Sequence, residues 1–212
     1  MKKGLFITFE GIDGCGKTTQ SRLLNEYLKQ KGFDTVLSRE PGGCEISEQI
    51  REIILNVKNA AMGDNTEALL FAASRAQHVD QVILPAVNSG KIVISDRFFD
   101  SSIAYQGYGK QLGADYILGI NGYAVKTCPP DYTFFVEIPP SASRERMADR
   151  YDLDSLEQES RDFFIRVYNG FEELKEKYRT RYIPIDASGT PDETQQKIRL
   201  EADRIIEKWQ NS

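Results

Sequence analysis

The sequence predicts a single α/β domain with three layers, in which helices cover both faces of a central parallel sheet. Two observations point to this fold class. Short apolar runs alternate with longer amphipathic stretches along the 212 residues, which is the order of strands and helices in such a sheet. The first apolar run also leads through a glycine-rich turn directly into an amphipathic stretch. A chain of this length can bury a core of this kind without cross-links.

The predicted strands are short apolar runs bounded by glycine, proline or charged residues. They are 5–9, 35–38, 92–95, 132–138 and 182–185. Gly90 and Asp96 bound the third of these runs, and two prolines close the fourth. Continuous apolar runs of this length are typical of strands that are buried on both faces of a parallel sheet.

The predicted helices carry apolar residues at intervals of three and four. They are 17–31, 47–55, 66–87, 155–179 and 191–209. Gly32 ends the first helix, and Pro85 predicts a bend or break in the third. The charged stretch 144–156 nearly lacks large aliphatic residues. It is either a mobile flap, called the LID below, or the solvated face of a helix.

Charge and composition exclude several classes of function. The net charge of -5 argues against a general nucleic-acid binder. His78 is the only histidine, so the sequence offers too few histidines for a histidine-based zinc site and little basis for a Ser-His-Asp triad. We assign His78 no role and expect it on the surface of a helix. The three cysteines lack metal-ligand spacing and are interpreted as reduced thiols of a cytoplasmic protein. No apolar run approaches the roughly 20 residues of a membrane span.

The glycine-rich turn has the spacing of a P-loop. With the residue after it, the turn comprises Gly11, Ile12, Asp13, Gly14, Cys15, Gly16, Lys17, Thr18 and Thr19. Glycines let backbone N–H groups turn around an anion, and the N-terminus of the following helix adds a positive dipole end. Lys17 is expected at the β- and γ-phosphates of a nucleotide and the Thr18 hydroxyl on Mg²⁺. Because a strand precedes the turn and a helix follows it, the motif predicts a nucleotide site.

Asp96 ends the apolar run 92–95 and is a candidate second holder of Mg²⁺, directly or through water. Considered alone, an ordinary turn after a strand explains the residue equally well. The P-loop earlier in the chain favours the metal-binding interpretation.

A P-loop does not name the reaction, but four further stretches follow it in a recognisable order. They are Arg39-Glu40-Pro41-Gly42-Gly43, then Leu70-Phe71-Ala72-Ala73-Ser74-Arg75, then Asp96-Arg97 with Ser101-Ser102 and Ala104-Tyr105-Gln106-Gly107, and finally 146–150 before Leu153-Asp154. In this order and spacing, residues 5–209 resemble the thymidylate kinases of the bacterial type. The resemblance implies a P-loop nucleoside monophosphate kinase fold and transfer of the γ-phosphoryl group of ATP to dTMP, with Mg²⁺. It also implies a homodimer in which helices such as 66–87 pack across a two-fold axis.

The resemblance implies a set of dTMP-binding residues. They are Asp13, Arg39, Glu40, Pro41, Arg51, Phe71, Arg75, Arg97, Ser101, Ser102, Tyr105 and Gln106. Phe71 and Arg75 lie four residues apart, so they share a helix face on which a ring can stack on thymine and a guanidinium can bond the base carbonyl. From the residues alone, a core position is the commoner one for Phe71.

The family carries its catalytic arginine either in the P-loop or in the LID. Gly14 stands where the first variant has arginine, so the resemblance implies Arg150 in the LID, with Arg146 near ATP on the same face. Lys17 and Arg97 complete the implied catalytic set, with Arg97 holding the acceptor phosphate. Ser155 departs from the arginine that is usual after Asp154, so at this position the LID lacks a positive charge that the family usually carries.

Two rival functions are compatible with a P-loop. The nearer is a kinase of another nucleotide or nucleoside, which would need a different acceptor pocket around Phe71, Arg75 and Ser102. The second, less similar function is that of a non-kinase switch, which binds nucleotide and signals by loop movement. The sequence has no guanine-reading Asn-Lys-x-Asp motif, which weakens the GTPase form of the second rival.

Overall fold

The computed structural model describes residues 3–147 and 160–211. Its strands form one parallel sheet in the order β2-β3-β1-β4-β5. They are β1 (Leu5–Glu10), β2 (Thr35–Arg39), β3 (Ile92–Asp96), β4 (Tyr132–Glu137) and β5 (Tyr182–Asp186). All the predicted strands are confirmed, with ends that differ by one residue at most.

Helices flank the sheet. In the described part of the chain they are α1 (Lys17–Gln30), α2 (Glu45–Leu55), α3 (Asp64–His78), α4 (Leu84–Asn88), α5 (Phe99–Ser102), α6 (Ala114–Ile120), α7 (Gly122–Thr127), α8 (Pro140–Met147), α9 (Arg161–Lys177) and α10 (Pro191–Asn211). The helix predicted at 155–179 corresponds to α9, and residues 155–159 lie outside the described part. None of the described helices combines the length and the apolarity needed to cross a membrane.

The irregularity predicted near Pro85 is a π-helical segment, Val79–Ile83, which joins α3 to α4. Proline lacks a backbone N–H, and its ring clashes with the carbonyl four residues earlier in a regular α-helix. A locally wider turn relieves both conflicts. The predicted helix 66–87 is therefore continuous from α3 through α4, with its distortion placed immediately before the proline.

Aromatic packing fixes the central strand. Every residue of β1 is buried. The ring of Phe6 meets the ring of Phe98 edge to face at 5.0 Å, and Phe9 lies 5.3 Å from Phe134 on β4. Because β1 pairs with β3 on one side and β4 on the other, the P-loop that follows β1 leaves the sheet from a rigid position.

A second π-helical segment, Ile103–Gly109, packs closely on α9. A Cβ added at Gly109 would lie 2.6 Å from the Phe163 ring and 2.8 Å from Val167. A Cβ added at Gly170 would meet the ring of Tyr108 at 2.8 Å. Glycine on each side therefore allows the two helical segments to approach at a distance that no larger residue permits.

We expect Gly109→Ala to lower the free energy of unfolding by about 1–3 kcal/mol, because the new methyl group overpacks the contact with α9. Gly119→Ala is the matched control, since a Cβ at Gly119 on α6 has no neighbour within 4 Å. That variant should be neutral or more stable by up to about 1 kcal/mol. Urea denaturation measures both, and an equal effect of the two changes would contradict the packing argument.

Candidate active site

A cavity of about 310 Å³ lies beside the carboxyl ends of β1, β2 and β3. Its walls bring together every residue that the resemblance assigns to dTMP, along with Thr18 and Asp96. The lining residues are Asp13, Thr18, Arg39, Glu40, Pro41, Arg51, Leu55, Phe71, Arg75, Asp96, Arg97, Ser101, Ser102, Tyr105 and Gln106. Leu55 was not predicted; as an apolar residue one turn after Arg51, it carries no sequence signal that separates it from the core. Side chains from distant parts of the sequence thus converge on one space.

The P-loop adopts the backbone conformation that its glycines permit. Gly11 has φ +143°, and a Cβ there would lie 2.5 Å from the Val136 carbonyl oxygen. Gly16 precedes α1 with φ +101°, and no side chain caps that helix, so its first N–H groups are available to an anion. Lys17 Nζ donates to the carbonyl oxygens of Gly11 and Ile12 at 2.9 and 2.8 Å. The lysine thus folds back across the loop.

Asp13, Arg97 and Tyr105 form a hydrogen-bonded cluster between the P-loop and the cavity. The Asp13 carboxylate accepts from the Arg97 guanidinium and from the Tyr105 hydroxyl, the latter at 2.6 Å. The Arg97 guanidinium also lies 5.1 Å from the centre of the Tyr105 ring and donates to Ser101 at 3.1 Å. Arg97 has φ +73°, a left-handed conformation that costs a non-glycine residue on the order of 1 kcal/mol. These contacts hold it there.

Electrostatics keeps this pair charged. Burial raises the pKa of Asp13, but the Arg97 guanidinium and the Lys17 ammonium outweigh burial and hold that pKa below its usual value. Burial lowers the pKa of Arg97, yet the Asp13 carboxylate holds it well above its usual value. A positive charge is therefore fixed where the P-loop meets the cavity.

Thr18 and Asp96 meet next to the P-loop. The Thr18 hydroxyl donates to Asp96 Oδ2 at 2.5 Å, which places the end of β3 beside the start of α1. Asp96 Oδ1 is buried and has no hydrogen-bond partner among the described residues. Buried polar atoms normally have partners, and hydroxyl and carboxylate oxygens are the ligands that Mg²⁺ prefers. The donor set thus fits a divalent cation bound together with phosphates.

Glu40, which lines the cavity, anchors a buried polar network. Its carboxylate accepts from Arg75 Nε at 2.6 Å and from His78 Nδ1 at 2.9 Å. His78 Nε2 lies 2.7 Å from the Ser38 hydroxyl, and the histidine has no exposed surface. The prediction of a surface position for His78 is therefore wrong. Helical spacing alone cannot reveal that β2 and the loop after it cover this face of α3.

Arg75 is held rigidly, with 2% of its surface exposed. Besides Glu40, its guanidinium donates to Ser102 Oγ at 3.0 Å, to Asn121 Oδ1 at 2.5 Å and to the Phe98 carbonyl oxygen at 3.2 Å. A guanidinium has five N–H donors, so these four contacts fix its plane while it lines the cavity. No sequence signal singles out Asn121, which meets Arg75 only in the folded chain.

The mouth of the cavity is basic. Arg39 and Arg51 each donate to the Pro41 carbonyl oxygen at 2.9 Å, and Arg39 also pairs with Glu48. The peptide bond between Glu40 and Pro41 is cis. The two guanidinium groups thus converge on one loop, with the Arg39 side chain 45% exposed. This arrangement suits an anionic group that enters the cavity.

Glu10, the last residue of β1, is a buried acid that was not predicted. It accepts from the Phe98 backbone N–H at 2.7 Å and from Ser101 Oγ at 2.5 Å. Burial and, second, the nearby Asp100 carboxylate raise the pKa of Glu10 to about 8. Its position directly before the P-loop is the only sequence signal it carries, and its contacts tie the chain after β3 to β1.

The LID predicted at 144–156 lies only partly within the described residues. Positions 144–147 belong to α8, where Arg146 Nη2 donates to the Ala187 carbonyl oxygen at 2.9 Å. Ser143 donates to the Asp13 carbonyl oxygen at 2.6 Å, so α8 touches the P-loop. Arg146, predicted near ATP, is thus placed beside the loop that follows β5. Arg150 lies outside the described residues.

Comparisons with known proteins agree with this geometry. A sequence model of the thymidylate kinase family matches residues 9–198. The chain is 50% identical over 184 residues to a thymidylate kinase of Exiguobacterium sp., covering 87% of each chain. It is 47% identical over 193 residues to a thymidylate kinase of Geobacillus sp., covering 90% of this chain and 92% of the other. The crystal structure of thymidylate kinase from Ehrlichia chaffeensis superposes with a TM-score of 0.75 at 34% identity, covering 96% of this chain and 99% of that one. With a family match over most of its length and the site geometry to accompany it, the chain belongs to the thymidylate kinase family.

Proposed function

We propose that this protein phosphorylates dTMP to dTDP with ATP, and that the cavity beside the P-loop is the dTMP site. The observation that carries the proposal is that the cavity shares Asp13 and Thr18 with the P-loop while Phe71, Arg75 and Gln106 line it. A donor nucleotide on the P-loop and an acceptor in the cavity would therefore be neighbours, as direct transfer requires.

The proposed roles follow from charge and position. Arg97, protonated and paired with Asp13, holds the acceptor phosphate against the donor, so two anions approach a fixed positive charge. Lys17 exchanges its contacts with the loop carbonyl oxygens for the phosphates of ATP. Asp13 faces the 3′-hydroxyl of the acceptor sugar, and Arg39 and Arg51 attract its phosphate at the mouth. Positioning and charge stabilisation carry the rate, without a covalent intermediate.

Thr18 and Asp96 are the residues that would hold Mg²⁺, because Asp96 Oδ1 has no partner in the described part of the chain and Thr18 shares the other oxygen. When bound, Mg²⁺ neutralises charge that develops on the transferring phosphates. The base end of the cavity offers a ring and two polar groups: Phe71 for stacking, and Arg75 and Gln106 for hydrogen bonds.

We also propose a cytoplasmic homodimer. Leu69 on α3 is 50% exposed, and Ile46 and Ile53 on the neighbouring α2 are 49% and 47% exposed. Apolar side chains on two adjacent helices suit burial against a second copy. The three cysteines are free thiols, which agrees with a reducing compartment.

The first experiment is a coupled assay of ADP formation with ATP, Mg²⁺ and each nucleoside monophosphate in turn. We expect rapid turnover of dTMP, weaker turnover of dUMP, which lacks the methyl group, and none with purine nucleotides. Turnover of a different monophosphate would retain the phosphoryl-transfer roles but contradict the assignments of Phe71, Arg75 and Gln106. ATP binding without any acceptor turnover would contradict the proposed function itself.

Arg150→Ala should lower kcat by about 10³-fold, the size of effect seen when an arginine that stabilises the transferring phosphates is removed. The KM for dTMP should change little, because the proposed contact is with the phosphates in transfer. Arg179→Ala is the control, since the Arg179 side chain is 74% exposed and pairs only with Glu176 among the residues described. A near wild-type kcat for Arg150→Ala would move the role to Arg146 or Arg144.

Leu69→Lys should convert the dimer to a monomer in sedimentation velocity, because a charge at the centre of an apolar contact is costly to bury. Leu200→Lys is the matched control: Leu200 is 64% exposed on α10, a helix that packs against α1 and β5. Equal sedimentation of both variants and the wild type would contradict the proposed interface.

A further inference from the structure

Gln106 has a charged partner behind the cavity wall. The amide Nε2 of Gln106 donates to Glu67 Oε1 at 2.9 Å. Gln106 is 1% exposed and Glu67 is 7% exposed, so water does not compete for this bond. Lys110 Nζ lies 3.1 Å from the other carboxylate oxygen of Glu67 and 2.9 Å from Asp64. The acid on α3 is thus held between an ammonium group and an amide.

This arrangement determines which end of the Gln106 amide faces the cavity. A carboxylate only accepts hydrogen bonds, so it takes the amide NH₂ and would be repelled by the amide oxygen. Rotating the amide by half a turn would place two acceptor oxygens against each other in a buried site. Gln106 lines the cavity, and its Oε1 has no partner among the described residues. The carbonyl oxygen is therefore the group that Gln106 offers to a ligand.

Arg75 lines the same cavity and carries only N–H donors, in contrast to the acceptor oxygen that Gln106 offers. The cavity thus presents one acceptor and one donor to the edge of a base. Thymine has an N3–H donor next to the O4 acceptor, which complements this pair. Cytosine has an acceptor at N3 next to an amino group, so both of its groups would meet like partners.

We propose that Glu67 is a specificity-determining positioning residue, which selects thymine over cytosine by fixing the orientation of the Gln106 amide. Glu67 need not touch the substrate. It acts by excluding the rotated amide, which would present NH₂ to N3 of cytosine. The inference rests on the proposed function, since it assumes that the cavity binds the base of a pyrimidine nucleotide.

Glu67→Gln tests the proposal, because a neutral amide can donate or accept and no longer fixes Gln106. The kcat/KM values for dTMP and dCMP are measured for the wild type and the variant. We expect the dTMP-to-dCMP ratio to fall roughly 10- to 100-fold, the effect of relieving one buried mismatch. The loss for dTMP should lie in its KM, with the KM for ATP unchanged.

Asp64→Asn is the matched control. Asp64 binds the same Lys110 but has no described contact with Gln106, and its side chain is 50% exposed. This variant should keep the wild-type ratio. A fall of equal size in Asp64→Asn would assign the effect to general loosening around Lys110 and overturn the proposal, as would an unchanged ratio in Glu67→Gln that turns over dTMP.

Two further measurements test the proposal independently of whether Glu67→Gln folds. Should Glu67→Gln fail to fold, Glu67→Met replaces the acceptor with an apolar side chain of similar length. We expect it to lower the dTMP-to-dCMP ratio of kcat/KM by the same factor. For the wild type, the inhibition constant of dTMP methylated at N3 should be at least about tenfold higher than the Kd of dTMP, because the methylated compound lacks the N3–H donor for Gln106. Equal binding would overturn the proposal. No dTMP turnover by the wild type would instead overturn the proposed function, and this inference with it.

Discussion

The ion pair between Asp13 and Arg97 links the two loops that form the site. Asp13 belongs to the P-loop after β1, and Arg97 follows β3; the parallel register places Phe9 opposite Asp96, so the two loops leave the sheet side by side. Arg97 occupies a left-handed backbone conformation, which the contacts to Asp13, Ser101 and the Tyr105 ring stabilise. Glu10 stabilises the same region by accepting hydrogen bonds from the Phe98 backbone N–H and the Ser101 hydroxyl. The position of the charge that lies between P-loop and cavity thus depends on the order of strands in the sheet.

Buried acids orient the groups that line the cavity. Glu40 fixes Arg75 with the help of His78, and Glu67 fixes Gln106 with the help of Lys110. A buried charge is tolerated only when it is paired and hydrogen-bonded, so each acid requires a defined geometry of its partners. The groups that face the cavity are consequently rigid before any ligand arrives, which reduces the cost of ordering them on binding. The proposed recognition of a base therefore depends on two acids that hold other side chains in place: Glu40, which itself lines the cavity, and Glu67, which lies behind its wall.

Much of the fold is predictable because local patterns determine it, whereas the cavity wall was predicted through the resemblance of four stretches to the thymidylate kinase family. Apolar runs locate the strands, since a strand buried on both faces cannot alternate with polar residues. The P-loop is visible because its glycines, Lys17 and Thr18 stand at fixed spacing between a strand and a helix. Phe71 and Arg75 share a helix face, as their separation of four residues requires. By contrast, His78 was predicted on the surface but is buried. Glu67 and Asn121 carry no sequence signal, and Glu10 carries only its position before the P-loop, because each contacts partners that are distant in sequence.

The sequence by itself determined the class of fold, the phosphate-binding loop and, through resemblance, most of the residues that line the cavity beside the P-loop. The strands, the helices and the P-loop each depend on spacing within one segment, and the cavity residues were recognised from the order of four separate stretches along the chain. Only the tertiary structure decided which polar groups are buried, which acidic side chain pairs with which basic side chain, and which end of the Gln106 amide is available to a ligand. Those properties arise where β2 covers α3 and where α3 meets the segment after β3, and hydrogen bonds between such segments depend on angles and distances that no linear pattern encodes.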